Sequence, residues 1–173
     1  FDYEKAKWFN HEWIKKFEVS GLRFEVKNLL IKNNIIVSDD PLLDKIIELV
    51  KERCTLLTDF VQQSSFFFKA PENPDVDAVN PKWNAQKDLF FIELIKIFSS
   101  AQSWQHKELE EEFKKLADAN GIKPGELLLP LRIMLVGGKF GPPVFNIAEI
   151  LGRQETITRI EKVLEILKQK PER

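Results

Sequence analysis

The sequence is poor in the residues that form covalent cross-links and metal sites. Its 173 residues include one cysteine and two histidines. A single cysteine excludes an internal disulfide and a multi-cysteine zinc site, and two histidines leave a catalytic metal short of ligands. No apolar run approaches the roughly 20 residues that span a bilayer. We therefore expect neither a metal site, a disulfide scaffold nor a membrane partner.

The sequence also lacks an excess of charge of either sign. Lysine and arginine number 26 and aspartate and glutamate 27, so the formal net charge is -1. Binding of nucleic acid by bulk charge is thereby excluded, and any such binding needs a local basic face. The chain opens at Phe1, its only methionine is Met134, and nothing near the start resembles a signal peptide. We expect an internal or C-terminal piece of a longer protein.

Apolar residues recur at helical spacing along most of the chain, which predicts an all-α fold. Asp39 before Pro41 is a typical helix start, and Ser20-Gly21 is a candidate break between two helices. Between Ala70 and Pro81 the composition shifts to proline, asparagine and aspartate. This shift divides the chain into two consecutive small helical bundles. The predicted parts are a first helical unit over 1–70, a proline-rich linker over 71–82 and a C-terminal bundle over 83–173.

One turn differs from the others in composition: residues 137–143, Gly-Gly-Lys-Phe-Gly-Pro-Pro, here called the glycine loop. Glycines let backbone N–H groups approach an anion closely. The phosphate-loop spacing G-x-x-x-x-G-K-[ST] is absent, Phe140 stands where a hydroxyl would hold magnesium, and no strand precedes the loop. A tight connection between helices with positive φ is favoured, and it leaves an anion contact by Lys139 open.

Arg132 lies in an apolar helix, one turn before the glycine loop. By itself it fits a snorkelling or ion-paired arginine better than a ligand reader. The functional alternative is a planar donor fork directed at a base edge or a phosphate. Both interpretations stay open from the residues alone.

The residues offer no catalytic set. His11 and His106 are far apart in sequence, and Cys54 sits at a core position of a helix. No nucleophile–base pair or perturbed carboxylate pair stands out. We expect this chain by itself to be non-catalytic and to hold no cofactor.

From Leu128 onward the sequence resembles the C-terminal end of bacterial-type glutamyl-tRNA synthetases, the glutamate–tRNA ligases. The matching residues there are Pro130-Leu131-Arg132, Val136-Gly137, Gly141-Pro142, Leu151-Gly152 and Arg159-Ile160. Upstream, Lys7-Trp8-Phe9-Asn10 with Trp13-Ile14 is similar to the family's K-x-x-W-x-N-x-x-Y-[IL] helix. Val50-Lys51-Glu52-Arg53 with Thr55-Leu56 is similar to its R-x-T-L turn. The resemblance covers nearly the whole chain.

The resemblance implies a function for the longer protein. This family joins glutamate to its tRNA through glutamyl-adenylate, using ATP and Mg²⁺ in a class I catalytic domain. The H-I-G-H-like and K-M-S-K-S-like signatures of that domain are absent here. The chain would then be the helical C-terminal part, which grips the anticodon arm of tRNA, in a protein expected to be cytoplasmic and monomeric.

The resemblance also implies individual roles. Arg132 matches the arginine that reads an anticodon base, and Arg53 matches the one that senses the third anticodon base. The loop and helix start that pack against the splayed bases correspond to Gly138, Lys139, Phe140, Gly141, Pro142 and Val144.

A helical protein–protein adaptor without RNA binding is the alternative, and the near-neutral charge suits it. A basic, concave surface around Arg132 and Lys139 would favour the RNA role.

Overall fold

The structure is a computed structural model that describes residues 2–169. The α-helices are α1 (Tyr3–Lys16), α2 (Val19–Lys32), α3 (Asp40–Val50), α4 (Asp59–Phe68), α5 (Ala85–Ser100), α6 (His106–Ala119), α7 (Pro124–Val136), α8 (Val144–Leu151) and α9 (Arg153–Gln169). Short 3-10 helices cover Lys51–Arg53, Val76–Ala78 and Asn80–Lys82. The described residues contain no strand, and the predicted all-α fold is confirmed.

The chain divides into two compact units, one up to Lys69 and one from Ala70 onward. Each unit has its own apolar core, as expected for two consecutive bundles. Within residues 2–169, no helix combines the length and apolar character that a membrane crossing needs.

The first unit is organised around α3. The Asp39 carboxylate accepts a hydrogen bond of 2.9 Å from the backbone N–H of Leu42, and Pro41 occupies the first turn. The apolar face that follows is fully buried and packs mainly on α2: Leu43, Ile46, Ile47 and Val50.

The predicted break at Ser20-Gly21 is wrong by a few residues. Helix α1 ends at Lys16 and α2 begins at Val19, which leaves Gly21 in the first turn of α2. A Cβ on Gly21 would clash with the ring of Phe17. The glycine therefore makes room for a neighbouring ring and does not end a helix.

The second unit packs α5 to α9 around phenylalanine rings. The rings of Phe90 and Phe113 meet edge-on with centroids 5.2 Å apart, and Phe113 meets Phe145 at the same distance. Helix α9 contacts α5, α7 and α8, and α7 also contacts α8. This arrangement holds both helices that flank the glycine loop against one core.

The segment 71–82 differs from the predicted linker, because it folds as part of the second unit. Val76 and Val79 are buried, and the N–H of Asp75 donates a 2.9 Å hydrogen bond to the carbonyl of Gly137. Composition suggests a linker because proline and asparagine dominate the segment. The two valines nevertheless supply enough apolar surface to hold it in place.

Candidate nucleic-acid interface

The glycine loop begins where α7 ends in a left-handed residue. Gly137 has φ +79, and its N–H donates a 2.9 Å hydrogen bond to the carbonyl of Ile133. A Cβ at this position would lie 2.6 Å from Cβ of Pro71. Both the backbone conformation and the packing therefore require glycine, as the interpretation of the loop as a tight connection expects.

Arg132 connects the end of α7 to the far side of the loop. Its side chain is half-buried, and Nη1 donates a 2.7 Å hydrogen bond to the carbonyl of Pro142. Gly141, at φ +152, passes so close that a Cβ there would lie 3.1 Å from Nη1. The guanidinium therefore holds the loop closed, a role that neither sequence interpretation anticipated.

Lys139 and Phe140 form the outward end of the loop. Phe140 is 84% exposed. The Lys139 ammonium lies 4.0 Å from Oδ2 of Asp75, with both side chains about half exposed. An ion pair this long and this solvated is weak, so Lys139 can turn toward another anion at little cost.

Three of the predicted site residues lie in the second half of the loop and at the start of the helix that follows it. Gly141, Pro142 and Val144 are buried, and Val144 starts α8 at 5% exposure. These three residues are therefore shielded from solvent, unlike Lys139 and Phe140. Gly138 is half-exposed, and a Cβ on it would meet no atom within 4 Å.

Arg53, the remaining predicted site residue, belongs to the first unit. It ends the 3-10 helix Lys51–Arg53 and is exposed. The other seven predicted residues gather at the glycine loop of the second unit.

Sequence reasoning missed the residues that support the loop from the segment 71–82. Pro71 fills the space beside Gly137, Asp75 binds its carbonyl, and the Lys162 ammonium donates a 3.2 Å hydrogen bond to the carbonyl of Pro71. These pairs are more than sixty positions apart, and no local pattern connects them.

Arg159 supports the same region from α9. Only 3% exposed, it donates through Nη1 to the carbonyl of Leu135 at 2.6 Å and through Nε to Glu155 at 2.7 Å. It thus satisfies one of the last carbonyls of α7, which have no partner inside the helix. A lone arginine between apolar positions of α9 is the sequence signal that could have indicated this role.

The groups that catalysis commonly uses are engaged in the fold. The His11 ring donates through Nδ1 to the carbonyl of Cys54 at 2.8 Å, and His106 Nδ1 lies 2.6 Å from Glu149 Oε2. Burial, together with the charge of Asp59, raises the pKa of the Cys54 thiol to about 12. Within residues 2–169, no three histidine, cysteine, aspartate or glutamate side chains gather where they could hold a metal ion.

Comparison with known proteins places this arrangement in a family. Residues 4–164 match the anticodon binding domain family. The glutamate–tRNA ligase of Porphyromonas gingivalis is 34% identical over 167 residues, which are 96% of this chain and 33% of that protein. The one from Flavobacterium johnsoniae is 31% identical over 167 residues, with the same two shares.

A solved structure leads to the same family. A glutamate tRNA ligase from Elizabethkingia meningosepticum, in complex with its amino acid, superimposes with a TM-score of 0.87 and 38% identity. The match covers 96% of this chain and 33% of that one. The chain therefore spans about a third of the length of the relatives it matches, and the predicted resemblance is confirmed. On this match over most of its length, the chain belongs to the anticodon-binding domain family that glutamate–tRNA ligases carry.

Proposed function

We propose that this chain is the part of a glutamate–tRNA ligase that binds the anticodon arm of its tRNA. The observation that carries the proposal is the family match over residues 4–164. In addition, 96% of this chain aligns with about a third of a glutamate–tRNA ligase. ATP and Mg²⁺ then act in the part of the ligase outside this chain. The whole protein is a cytoplasmic monomer in this proposal.

The exposed end of the glycine loop supplies suitable chemistry for RNA. Proteins read single-stranded loops by stacking their unstacked bases on aromatic rings and by hydrogen bonds to base edges. The ring of Phe140 is exposed to solvent. The Lys139 ammonium is a cation whose ion pair with Asp75, at 4.0 Å, is weak. We assign base stacking to Phe140 and a phosphate contact to Lys139.

The buried residues act through the loop. Gly141, Pro142 and Val144 support the exposed end, while Gly138 gives the backbone of the loop close access to RNA. Arg132 keeps its predicted role as a base reader and gains a second one, because its bond to Pro142 shapes the loop. Arg53 is proposed to contact the third anticodon base from the first unit.

Titration of a labelled anticodon stem-loop of glutamate tRNA tests the proposal. We expect Phe140→Ala to weaken binding about 10- to 100-fold, since stacking contributes about 1–3 kcal/mol per base. Lys139→Ala should weaken cognate and scrambled loops alike and lower the slope of log affinity against log salt by about 1. Fluorescence anisotropy at two salt concentrations measures both effects.

Lys168→Ala is the matched control for Lys139→Ala. The Lys168 side chain is 54% exposed against 53% for Lys139, and it lies 3.9 Å from a carboxylate of Asp88. It should bind like the unaltered chain. If cognate and scrambled loops bind equally weakly and Phe140→Ala changes nothing, RNA binding by the loop is refuted and the adaptor alternative moves ahead.

A further inference from the structure

A cavity in the second unit lies between the segment 71–82 and the starts of α5 and α7. None of the residues assigned above to RNA binding lines it. Its volume is about 270 Å³, close to the lower end of the range of about 300–1,000 Å³ that is typical of small-molecule sites. It is here called the Trp83 cavity, after the aromatic residue in its wall.

The walls of the Trp83 cavity are largely apolar and are held in place by the fold. Val79 is 5% exposed and Pro130 is buried, while Leu129 lines the cavity from the same helix as Pro130. The Trp83 ring stacks on the ring of Phe91, with centroids 5.7 Å apart and ring planes 19° apart. A flat aromatic ligand would therefore meet a preformed apolar surface.

The cavity is also lined by a buried lysine that has few partners. Lys87 is 6% exposed, and its Nζ donates a 2.8 Å hydrogen bond to the carbonyl of Lys82. Among residues 2–169, its ammonium has no second hydrogen bond and no ion pair. An ammonium has three donors, and a buried charge is unfavourable unless it is compensated. Two donors of Lys87 therefore remain for a ligand that carries acceptors.

Acceptors and a further donor line the same cavity. The Glu126 side chain is exposed and forms no ion pair with the residues that the structure describes. Pro130 has no N–H, which leaves the carbonyl of Glu126 without its usual helical donor. The indole N–H of Trp83 donates to no acceptor within the described part of the chain. Of the residues that line the cavity, the charged ones are Lys82, Lys87 and Glu126.

We infer that the Trp83 cavity binds the guanine base of a nucleotide. Guanine has two acceptors on one edge, O6 and N7, and lysine is a common partner of that edge. Its N1–H and 2-amino group are donors that a carboxylate accepts. Lys87 binds O6 and N7, Glu126 accepts from the donor edge, and the ring lies against Trp83. Exposed Lys82 contacts the phosphate.

The arrangement discriminates against adenine. Adenine carries an amino donor where guanine has O6, so a donor would face the Lys87 ammonium. The inference does not rest on RNA binding by the glycine loop. A free guanine nucleotide and a guanine within an RNA strand present the same base, and the experiment separates these two sources.

NMR of the ¹⁵N-labelled 173-residue chain tests the inference through the indole N–H of Trp83, which the variant Trp83→Phe assigns. GMP should shift this resonance until the site is saturated. AMP should bind at least about tenfold more weakly, and so should IMP, which lacks the 2-amino group, because each loses a hydrogen bond to a charged partner. Inorganic phosphate is the control for the anion alone and should leave the resonance unchanged.

Two variants test the polar groups separately. Lys87→Met keeps an unbranched side chain and should weaken GMP binding at least about tenfold. Lys96→Met is the matched control, because Lys96 is exposed on the same helix and does not line the cavity. Glu126→Ala, at an exposed position, should abolish the preference for GMP over IMP, which a purely structural role of Glu126 would not affect.

A short single-stranded RNA with one guanine distinguishes the sources. A shift of the Trp83 resonance by GMP assigns the site to free guanine nucleotides, and a shift by the RNA alone assigns it to a guanine within a strand. The inference is overturned if neither shifts the resonance, if AMP or phosphate shifts it equally, or if folded Lys87→Met binds GMP unchanged. Phe140→Ala should alter none of these results, so a failure here is distinct from a failure of the titration at the glycine loop.

Discussion

Gly137 shows how two separate constraints can act on one residue. Its φ of +79 disfavours any residue with a Cβ, and the space for that Cβ is filled by Pro71. The positive φ could be predicted, because a glycine pair closes an apolar helix. The second constraint could not, since Pro71 belongs to a segment whose composition indicates a linker.

We expect Gly137→Ala to lower the free energy of unfolding of the second unit by about 1–3 kcal/mol, from backbone strain and the clash with Pro71. Urea denaturation measures the change. Gly138→Ala is the matched control, because it has open space around its Cβ and should cost less than half as much. Equal effects of both variants would show that Pro71 shifts to accommodate the added Cβ and that the clash contributes nothing.

Cys54 gives a prediction that depends on pH. Burial first and Asp59 second raise the pKa of its thiol to about 12, against the opposing effect of Arg53. Since the folded pKa exceeds the unfolded value of about 8.5, the thiol favours the folded state below that pH, and this contribution is lost as the pH rises toward 12. Iodoacetamide at about pH 8 should alkylate Cys54 only after denaturant is added. Rapid labelling of the native chain would contradict the burial of this residue.

At the scale of helices, a local signal predicted the start of α3 correctly. Asp39 with Pro41 marks the start of α3, because capping and proline chemistry act within one turn. Gly21 misled the prediction because its role depends on a contact with Phe17 and not on its own turn.

The junction of α7 and α9 depends on Arg159. Arg159→Met should lower the free energy of unfolding by about 2–3 kcal/mol, because the carbonyl of Leu135 would lose its charged donor inside the core. Thermal unfolding followed by circular dichroism measures this loss. Glu155→Gln removes the partner of the ion pair alone, and its 42% exposed side chain should contribute less than about 1 kcal/mol. If both variants cost the same, the bond to Leu135 is not the stabilising contact.

At the scale of the whole molecule, the division after Lys69 predicts where the chain can be cut. The polypeptide 70–173 should fold alone and unfold cooperatively. The polypeptide 83–173, which lacks the segment 71–82, should lose about 3–5 kcal/mol of stability, because Val76 and Val79 no longer bury their side chains. Circular dichroism during urea unfolding compares the two. Equal stability would restore the linker interpretation.

The candidate site was only partly predictable. Resemblance pointed to the glycine loop and to Arg132, because those residues are close together in sequence. Which side chains face outward depends on tertiary packing: Lys139 and Phe140 are exposed, whereas Pro142 and Val144 are buried. No local pattern encodes which of these side chains is buried.

The closed shape of the glycine loop also has a thermodynamic consequence. Pro71, Asp75 and Arg132 hold the loop in one conformation before any partner arrives. A preorganised loop gives up little conformational entropy on binding, so the contacts of Phe140 and Lys139 add to affinity nearly undiminished. Loosening the loop would then weaken binding through entropy alone, even with every contacting side chain in place.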